Sequence, residues 1–388
     1  MIRMATIKYN IKSILYVVNF DGFFLSHRLP IAIEAKKRGY NVIVICEDTG
    51  KVQQIVDQGF EYIPLPFYRE RKTNLLNELK YILFLFKQYK KINPNIIHHI
   101  SIKPIIYGCI ATKLLNGKFS TVNAFSGMGY LFTDSRKLFS EFIFIPLFRY
   151  IFNQIKLKII FQNQDDKNYF IKNKIVNIAQ LEQIKGSGVD LKEFTIIPIP
   201  TLKNNNLKVL FPARMLRDKG VFEFYFAATL IKAKYPQTQF TLCGDIDKAN
   251  PSSLSFGQLE HWNNEGIVTW IGYQKDMVDI LSKHHLVVLP SYREGLPKSL
   301  IEACAIGRPI ITTDTVGCRE CIDNEQSGFL VPVKNHLKIV EYIEYFILNP
   351  NKLSEFGNRS RKKAETEFNI DRVITKTLDI YQELLSKK

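Results

Sequence analysis

The stretch 286–314 constrains the fold more than any other part of the chain. It begins with one short apolar run, 286–289, and ends with another, 309–313, and both are typical of buried parallel strands. Between them the pattern predicts a helix that begins near Pro297 and ends by Gly307. Strand, helix and strand together indicate a βαβ unit. In open α/β sheets, ligands bind outside the carboxyl ends of the strands, here at the turn into this helix.

Two carboxylates frame that turn. Glu294 lies in the loop, and Glu302 lies about five residues, or ~7.5 Å, along the helix. The amides of the first helical turn have no acceptor within the helix, so they can bind an anion between the two carboxylates. A nucleotide-sugar, with hydroxyl groups at both ends and phosphates in the middle, fits this arrangement. Each glutamate alone would be an ordinary surface residue, but the strand–turn–helix context favours a binding site.

The net charge of +16 limits the partners that this chain can have. At 388 residues, 46% of them hydrophobic, the chain is long enough for two globular domains. The positive charge predicts an anionic partner, which can be nucleic acid, a membrane surface or a phosphorylated substrate. The six cysteines lie mostly in apolar runs and form no disulfide framework, and no run approaches the ~20 residues of a membrane-spanning helix. We therefore expect a cytoplasmic protein.

The N-terminal half alternates predicted strands and helices, which is typical of a doubly wound parallel sheet. Its first strand, Ile14–Asn19, precedes a predicted turn at 21–24 and a helix over Leu29–Arg38. The strand is not followed by a G-x-G-x-x-G sequence, which weighs against an NAD-dependent enzyme. Five residues follow predicted strand ends and face the expected cleft: Gly22, His99, Lys103, Ser126 and Gly127. Two of these five, the histidine and the lysine, are equally well interpreted as a core histidine and a solvated lysine.

The C-terminal half repeats the alternation of strands and helices. Arg214 and Lys219 straddle the turn after the predicted strand Leu207–Pro212. Two fixed cations in this position would stabilise the charge that builds up on a leaving diphosphate. Asp245 and Asp247 form a D-x-D pair in a loop rich in Gly, Asn and Pro. Because further carboxylates are missing around this pair, we interpret it as structural and expect no catalytic metal.

Several motifs in this sequence resemble one known family. The E-x7-E spacing of Glu294 and Glu302, followed by EACAIGRPIITTD, is similar to the donor-site motif of retaining glycosyltransferase family 4, which has the GT-B fold. The segments 23–42, 96–108 and 123–133 resemble bacterial enzymes that build lipid-linked glycans, and most of all transferases that add N-acetylgalactosamine to a polyprenyl-diphosphate sugar. The resemblance covers nearly the whole chain.

The resemblance implies two Rossmann-like, doubly wound α/β domains that face a central cleft. Residues 1–190 would form the acceptor-binding N-terminal domain, and 191–206 would form the linker. Residues 207–369 would form the nucleotide-sugar-binding C-terminal domain, and 370–388 a helix that returns to pack on the N-terminal domain.

The resemblance also implies roles for individual residues. The expected catalytic residues are Glu294, His99 and Lys103. The expected donor-binding residues are Gly22, Arg214, Lys219, Gly272, Gly295, Leu296, Lys298 and Glu302. Ser126 and Gly127 are expected on the acceptor side. Family members often have Gly-Phe-Gly after the first glutamate, whereas this chain has Gly295-Leu296-Pro297. Pro297 has no N–H to donate, and we expect Lys298 to supply charge in its place.

The resemblance implies a retaining hexosyltransferase, and we expect it to be independent of metal ions and to need no cofactor. The expected reaction moves a sugar, an N-acetylhexosamine, from a UDP-sugar co-substrate to a polyprenyl-diphosphate-linked saccharide in the assembly of a surface glycan or glycoprotein glycan. One alternative is a UDP-sugar epimerase of the same fold, which would need no acceptor groove. The other is a nucleic-acid-binding protein, favoured by the charge alone, although the sequence contains no zinc-finger, RNP or helix-turn-helix pattern.

Two stretches of the N-terminal half, Arg71–Lys91 and Arg136–Lys158, are apolar and basic at the same time. This pattern is typical either of helices that lie on an anionic membrane surface or of core helices with a solvated lysine face. Together with the charge of +16 and the lipid-linked acceptor, it favours peripheral association with the inner face of the cytoplasmic membrane. We expect no nucleic-acid partner.

Overall fold

The computed structural model describes residues 12–66, 74–128, 137–202, 204, 206–248 and 250–387. Over these ranges the chain forms two sheets, one in each half. The strands of the first sheet are β1 (Ser13–Phe20), β2 (Asn41–Glu47), β3 (Glu61–Pro64), β4 (Ile96–Ile100), β5 (Ser120–Phe125), β6 (Leu157–Phe161) and β7 (Leu181–Gln183). The strands of the second sheet are β8 (Lys208–Pro212), β9 (Gln239–Cys243), β10 (Thr269–Trp270), β11 (Leu286–Leu289), β12 (Ile310–Thr313) and β13 (Gly328–Val331).

Helices connect successive strands. Those of the N-terminal half are α1 (Asp21–His27), α2 (Leu29–Lys37), α3 (Val52–Val56), α4 (Leu75–Ile92), α5 (Ile102–Leu114), α6 (Lys137–Phe152) and α7 (Gln164–Lys172). Those of the C-terminal half are α8 (Val221–Lys234), α9 (Phe256–Asn264), α10 (Met277–Ser282), α11 (Lys298–Ala305), α12 (His336–Leu348), α13 (Asn351–Lys363) and α14 (Ile370–Ser386).

The two sheets share one strand order. It runs β3-β2-β1-β4-β5-β6-β7 in the first sheet and β10-β9-β8-β11-β12-β13 in the second, and the described strand pairs are all parallel. In each sheet the order reverses beside the first strand, between β1 and β4 and between β8 and β11. Doubly wound sheets bind ligands at that reversal. The predicted architecture of two doubly wound domains is therefore confirmed.

Both faces of the first sheet are buried under helices, which explains its nearly continuous apolar strands. On one face, Tyr81 and Leu85 of α4 pack with Leu15 and Ile97. On the same side, α5 and α6 cover the part of the sheet near β5 and β6. The opposite face is covered by α1, α2 and α14. A polar side chain on the middle strand β4 is consequently buried whichever way it points.

The C-terminal helix α14 crosses back from the second half of the chain and packs on the first sheet. Val373, Leu378, Tyr381 and Leu384 of this helix are buried in the core on the α2 side. The crossing is fixed by backbone hydrogen bonds, because the Val189 N–H donates to the carbonyl of Phe368 at 2.8 Å, next to the start of the helix. The chain thus passes between the two domains twice, once near residue 190 and once near residue 369.

Two local expectations differ from the structure. The residues predicted as a turn, 21–24, begin the helix α1. The buried Asp21 carboxylate accepts the backbone N–H groups of Gly22, Thr49 and Lys51, so the helix starts directly at the end of β1. The helix after β11 begins one residue later than predicted. Pro297 is its N-cap rather than its first residue.

The predicted linker lies along the second domain rather than free in solvent. Arg308, which is fully buried, donates to the carbonyl of Ile197 at 2.8 Å, and Arg361 donates to that of Phe194 at 2.6 Å. Residues 203 and 205 of this segment lie outside the described ranges. Among the helices that the structure describes, we find none that is both long and apolar enough to cross a bilayer.

Candidate functional site

The loop between β11 and α11 is fixed by hydrogen bonds to two neighbouring segments. The Ser291 hydroxyl and the Tyr292 N–H both donate to the carbonyl of Asp218, at 3.1 and 2.9 Å. The Glu294 N–H donates to the carbonyl of Val316 at 3.1 Å. Gly220 has a positive φ of 77° and packs against Pro290, so no larger residue would fit there. This close packing brings the turn that carries Lys219 against the end of β11.

As a result, two residues from the predicted donor site form an ion pair. The Lys219 ammonium contacts the Glu294 carboxylate, and both side chains are largely buried. Arg214, the other predicted diphosphate-binding cation, forms an ion pair with Asp247 and has a half-exposed side chain. The sequence placed the lysine and the glutamate 75 residues apart, and the fold brings them together at the carboxyl end of the second sheet.

The second glutamate of the E-x7-E motif lies inside α11. Glu302 is almost completely buried, and Lys298, one turn earlier, approaches its carboxylate at 3.4 Å. Burial raises the pKa of the Glu302 carboxyl, and the positive charge of Lys298 opposes that rise. Lys298 also donates to the carbonyl of Ser26 in the N-terminal domain at 3.1 Å. This lysine therefore connects the carboxylate of Glu302, a predicted donor-binding residue, to α1.

Gly272 and the two aspartates of the D-x-D pair lie on the other side of the same edge. Gly272 has a positive φ of 66°, and its carbonyl accepts the Gly244 N–H at 2.9 Å. The Asp245 carboxylate accepts the Tyr273 N–H at 3.1 Å, while Asp247 binds Arg214. Both aspartates thus have structural contacts. In the part of the chain that the structure describes, no three His, Cys, Asp or Glu side chains form a group that could hold a metal ion.

The predicted acceptor-side residues directly contact residues 293–295 of the loop between β11 and α11, which we call the donor loop. Gly127 has a positive φ of 104°, and a Cβ atom placed on it would lie 2.9 Å from the Gly295 nitrogen. A Cβ atom on Gly295 would in turn overlap the Ser126 carbonyl. The two domains therefore meet backbone to backbone at Gly127 and Gly295. Leu296 is buried next to this contact, against Gly186 of the segment that leaves the first domain.

His99 lies in the core of the N-terminal domain rather than at the surface of the cleft. Its side chain is fully buried on the α4 and α5 side of the first sheet, where its ring nitrogens contact the Tyr89 hydroxyl at 2.9 Å and the Asn123 side-chain oxygen at 2.8 Å. Burial lowers the pKa of His99 to about 4. Both faces of β4 are covered, which favours the core interpretation of this histidine, and its catalytic role remains a prediction.

Lys103 and Gly22 lie at the carboxyl edge of the first sheet, as expected, but each has a local partner. Lys103 is half-exposed at the start of α5 and forms an ion pair with Glu78 of α4 at 3.2 Å. The Gly22 N–H donates to the Asp21 carboxylate at 2.5 Å. Their catalytic and donor-binding roles remain predictions.

Sequence reasoning missed a group of polar residues at the start of α7, directly after β6. Asn163 and Asp166 are buried, and both contact the donor loop of the other domain, at Gly295 and Arg293. Asp165 forms a second interdomain ion pair, with Arg319 at 2.9 Å. An available signal was the segment FQNQDD, in which a helix-capping asparagine and two first-turn aspartates directly follow a predicted strand.

The fold and this edge of charged residues define the class of the protein. Solved structures with the same architecture include a glycosyltransferase from Rickettsia africae, with a TM-score of 0.75, 20% identity and coverage of 98% of this chain and all of that one. Another is Anabaena Alr3699/HepE in complex with UDP, with a TM-score of 0.74, 15% identity and coverage of 96% of this chain and all of that one. The chain therefore has the two-domain GT-B fold, as predicted.

Two family profiles and full-length relatives identify the family. Residues 13–163 match the profile described as glycosyl transferase 4-like, and residues 193–363 match that described as glycosyl transferases group 1. The N,N'-diacetylbacillosaminyl-diphospho-undecaprenol alpha-1,3-N-acetylgalactosaminyltransferase of Campylobacter jejuni is 30% identical over 93% of this chain and 98% of that protein. The UDP-Gal:alpha-D-GlcNAc-diphosphoundecaprenol alpha-1,3-galactosyltransferase of Escherichia coli is 24% identical over 90% of each.

The chain thus belongs to the glycosyl transferases group 1 family and is a glycosyltransferase. This membership confirms the resemblance seen in the sequence. It also decides the function in favour of glycosyl transfer, ahead of the epimerase and the nucleic-acid-binding protein.

The core position of His99 predicts a particular pH dependence of stability. In the unfolded chain this histidine takes up a proton near its ordinary pKa of 6.5, whereas in the folded chain it does so only at about 4. The contribution of His99 to stability should therefore be constant above pH 6.5 and fall between pH 6.5 and pH 4. The variant His99→Gln should lose about 2 kcal/mol less unfolding free energy between neutral pH and about pH 5 than the parent chain, as measured by urea titration.

The same variant tests the catalytic alternative. If the histidine is a core residue, kcat of His99→Gln at neutral pH should stay within about tenfold of the parent value. A loss of three orders of magnitude in a stably folded variant would return His99 to the reaction.

Proposed function

We propose that this glycosyltransferase moves an N-acetylhexosamine from a UDP-sugar to a polyprenyl-diphosphate-linked saccharide, with retention of the anomeric configuration, in the assembly of a surface glycan or glycoprotein glycan. The observation that carries the proposal is the Lys219–Glu294 ion pair beside the start of α11. In this proposal Lys219 would bind the diphosphate and Glu294 would contact the transferred sugar, and their direct contact supports a shared donor site.

The donor would lie along the carboxyl edge of the second sheet. Lys219 and Arg214 would hold the diphosphate, because two fixed cations lower the free energy of the charge that develops as the sugar–phosphate bond breaks. The free amides at the start of α11 add to this stabilisation. Glu294 would contact the transferred sugar, Glu302 the ribose hydroxyls, and the backbone near Gly272 the base. Three cations, Arg214, Lys219 and Lys298, then face the phosphates, and we propose that the reaction needs no divalent metal.

The names of the relatives support the choice of substrates. Both relatives named above are described as transferases that act on undecaprenol-diphosphate-linked sugars, and one of the two names specifies UDP-galactose as the donor. A structural neighbour was solved with UDP. The chain matches the Campylobacter jejuni enzyme, an N-acetylgalactosaminyltransferase, over almost the full length of that enzyme. This match favours an N-acetylhexosamine as the transferred sugar.

An exposed apolar and basic surface on the N-terminal domain supports the proposal of a lipid-linked acceptor. In α4, the inner side is buried, while an outward stripe of Leu76, Leu79, Lys80, Leu83 and Lys87 is exposed. The parallel sheet requires α4 and α6 to begin at its carboxyl edge, on the side of the cleft. Near the beginning of α6, Phe142 is 82% exposed and Ile143 is 45% exposed.

Exposed apolar side chains next to lysines are what a helix at an anionic bilayer surface requires. We propose that these ends of α4 and α6 bind the inner face of the cytoplasmic membrane and keep the cleft close to its lipid-linked acceptor. The parts of the predicted basic stretches at 71–73 and at 136 lie outside the described residues, as do the side chains of 137–141.

The substrate proposal is tested with a panel of UDP- and GDP-sugars assayed against polyprenyl-diphosphate-linked saccharides in the presence of EDTA. We expect turnover with a UDP-N-acetylhexosamine, and a product whose new linkage has the same anomeric configuration as the donor by NMR. Use of GDP-sugars alone would contradict the donor assignment. Activity that EDTA abolishes and Mn²⁺ restores would contradict metal independence and bring Asp245 and Asp247 back into consideration.

The two carboxylates should separate kinetically. Contacts to the transferred sugar strengthen as its anomeric carbon gains positive charge, whereas ribose contacts are similar in the ground and transition states. Glu294→Gln should therefore lower kcat by roughly two orders of magnitude, and Glu302→Gln should mainly raise the donor KM, by about tenfold or more. Glu344→Gln, which removes a partly exposed carboxylate paired with Lys234, is the matched control. The reverse pattern would mean that the donor lies the opposite way round.

Membrane binding should depend on the α4 stripe. The test is a flotation assay with vesicles that contain anionic lipid. The double variants Leu79→Gln/Leu83→Gln and Lys80→Gln/Lys87→Gln should each lose more than about half of the bound fraction. Added salt should reduce the vesicle binding of the parent protein. Lys248→Gln/Lys275→Gln, which removes two exposed lysines of the second domain, should bind like the parent. Binding that is equal on neutral vesicles and insensitive to salt would argue against this surface.

A further inference from the structure

The residues on either side of Glu294 are held by the opposite domain. The Asn163 side-chain amide donates to the carbonyl of Gly295 at 2.8 Å, and Arg293 donates to the carboxylate of Asp166 at 2.6 Å. Asn163 is fully buried, and Asp166 is 2% exposed. Neither contact involves Glu294 itself, which pairs with Lys219 of its own domain.

Asp166 links the donor loop to two further segments of the N-terminal domain. Its second carboxylate oxygen accepts the Asn163 amide at 3.0 Å and the Met128 N–H at 3.3 Å. Burial raises the pKa of Asp166, and the charge of Arg293 and these hydrogen bonds oppose the rise. Because these contacts hold the buried Asp166 carboxylate in one orientation, the carboxylate in turn fixes the position of the Arg293 side chain that donates to it.

Backbone packing also holds the loop against the N-terminal domain. Gly295 lies against Ser126 and Gly127 so closely that a single added carbon atom on either glycine would overlap the other segment. The carbonyl of Gly295 points to Asn163, and the side chain of Arg293 points to Asp166. The backbone on both sides of Glu294 is thus fixed relative to the N-terminal domain.

We infer that Asp166 and Asn163 are positioning residues for glycosyl transfer, which hold the loop 293–295 so that the Glu294 carboxylate faces the transferred sugar when the two domains are closed on each other. The inference rests on the role proposed above for Glu294. It adds that the N-terminal domain, which would bind the acceptor, also sets the geometry of the donor-side carboxylate. Movement of the domains apart would release that geometry without dissociating the donor.

The same helix supplies a matched control. Asp165 forms an interdomain ion pair with Arg319, and both side chains are about 40% exposed. This pair joins the two domains, as the Asp166–Arg293 pair does, but it does not touch the donor loop. A general loss of domain contact should therefore appear in Asp165→Asn as well as in Asp166→Asn, whereas a loss of Glu294 positioning should appear in Asp166→Asn alone.

The test uses the full chain with the UDP-sugar and acceptor that give the fastest turnover in the panel. Asp166→Asn should lower kcat by 10- to 100-fold with a donor KM within about threefold of the parent, and Asp165→Asn should change both by less than about threefold. Arg293→Ala should give the same loss as Asp166→Asn. The double variant Asp166→Asn/Arg293→Ala should lose no more kcat than the more impaired of the two single variants, because both residues act through one contact.

Three outcomes would overturn the inference: equal kcat values for Asp166→Asn and Asp165→Asn, losses that multiply in the double variant, or a change confined to the donor KM.

If Asp166→Asn does not fold, Asn163→Ser carries the test, since serine keeps the helix cap and removes the side-chain amide that donates to the carbonyl of Gly295. Its kcat should fall by about tenfold, and an unchanged kcat would overturn the inference. If Glu294→Gln is fully active, the role of Glu294 fails, whereas a normal Asp166→Asn beside an inactive Glu294→Gln rejects only the positioning role.

Discussion

A contact between two backbones, at Gly127 and Gly295, is the constraint on which the site depends. Neither position can carry a side chain, because a Cβ atom on either glycine would overlap the opposite domain. The two domains can therefore approach until their peptide groups touch, and interiors packed this closely shift between discrete arrangements rather than deform gradually. Asn163, Asp166 and Arg293 surround the contact, and each of them forms a hydrogen bond across it. One small area thus fixes both the distance between the domains and the path of the donor loop.

The chain topology makes such a contact possible. Each sheet places its loops at the carboxyl ends of parallel strands, and the two domains turn these edges toward each other. The chain crosses between the domains at two neighbouring places, where Val189 and Asn369 form an isolated parallel bridge. Gly188 packs against Ile370 there, with φ of 76°, so the crossings lie side by side. Two adjacent crossings leave few directions in which one domain can rotate against the other, and the same loops meet each time the cleft closes.

The sequence predicted the second domain better than the first for a physical reason. In 286–314 the strand, turn and helix are local, so the positions of Glu294 and Glu302 follow from neighbouring residues. The two doubly wound sheets followed from alternation alone. His99 could not be placed in this way, because an apolar strand with two adjacent histidines does not reveal that both of its faces are covered. The partners of Asn163 and Asp166 lie more than 120 residues away, and contacts at that separation follow only from the assembled fold.

The charges at the donor edge compensate one another in pairs, and this pairing bears on which ligand fits. Lys219 is paired with Glu294, Arg214 with Asp247, and Lys298 with Glu302. A free anion would take the cations and leave buried carboxylates without partners, which costs free energy. A sugar without phosphates would face carboxylates that already have partners. In the proposed site, a nucleotide-sugar would bring phosphates for the cations and hydroxyl groups for Glu294 and Glu302, so both members of the Lys219–Glu294 and Lys298–Glu302 pairs would gain new partners. On this proposal, the pairing would select for the combination of charges and hydroxyls in the donor rather than for either one alone.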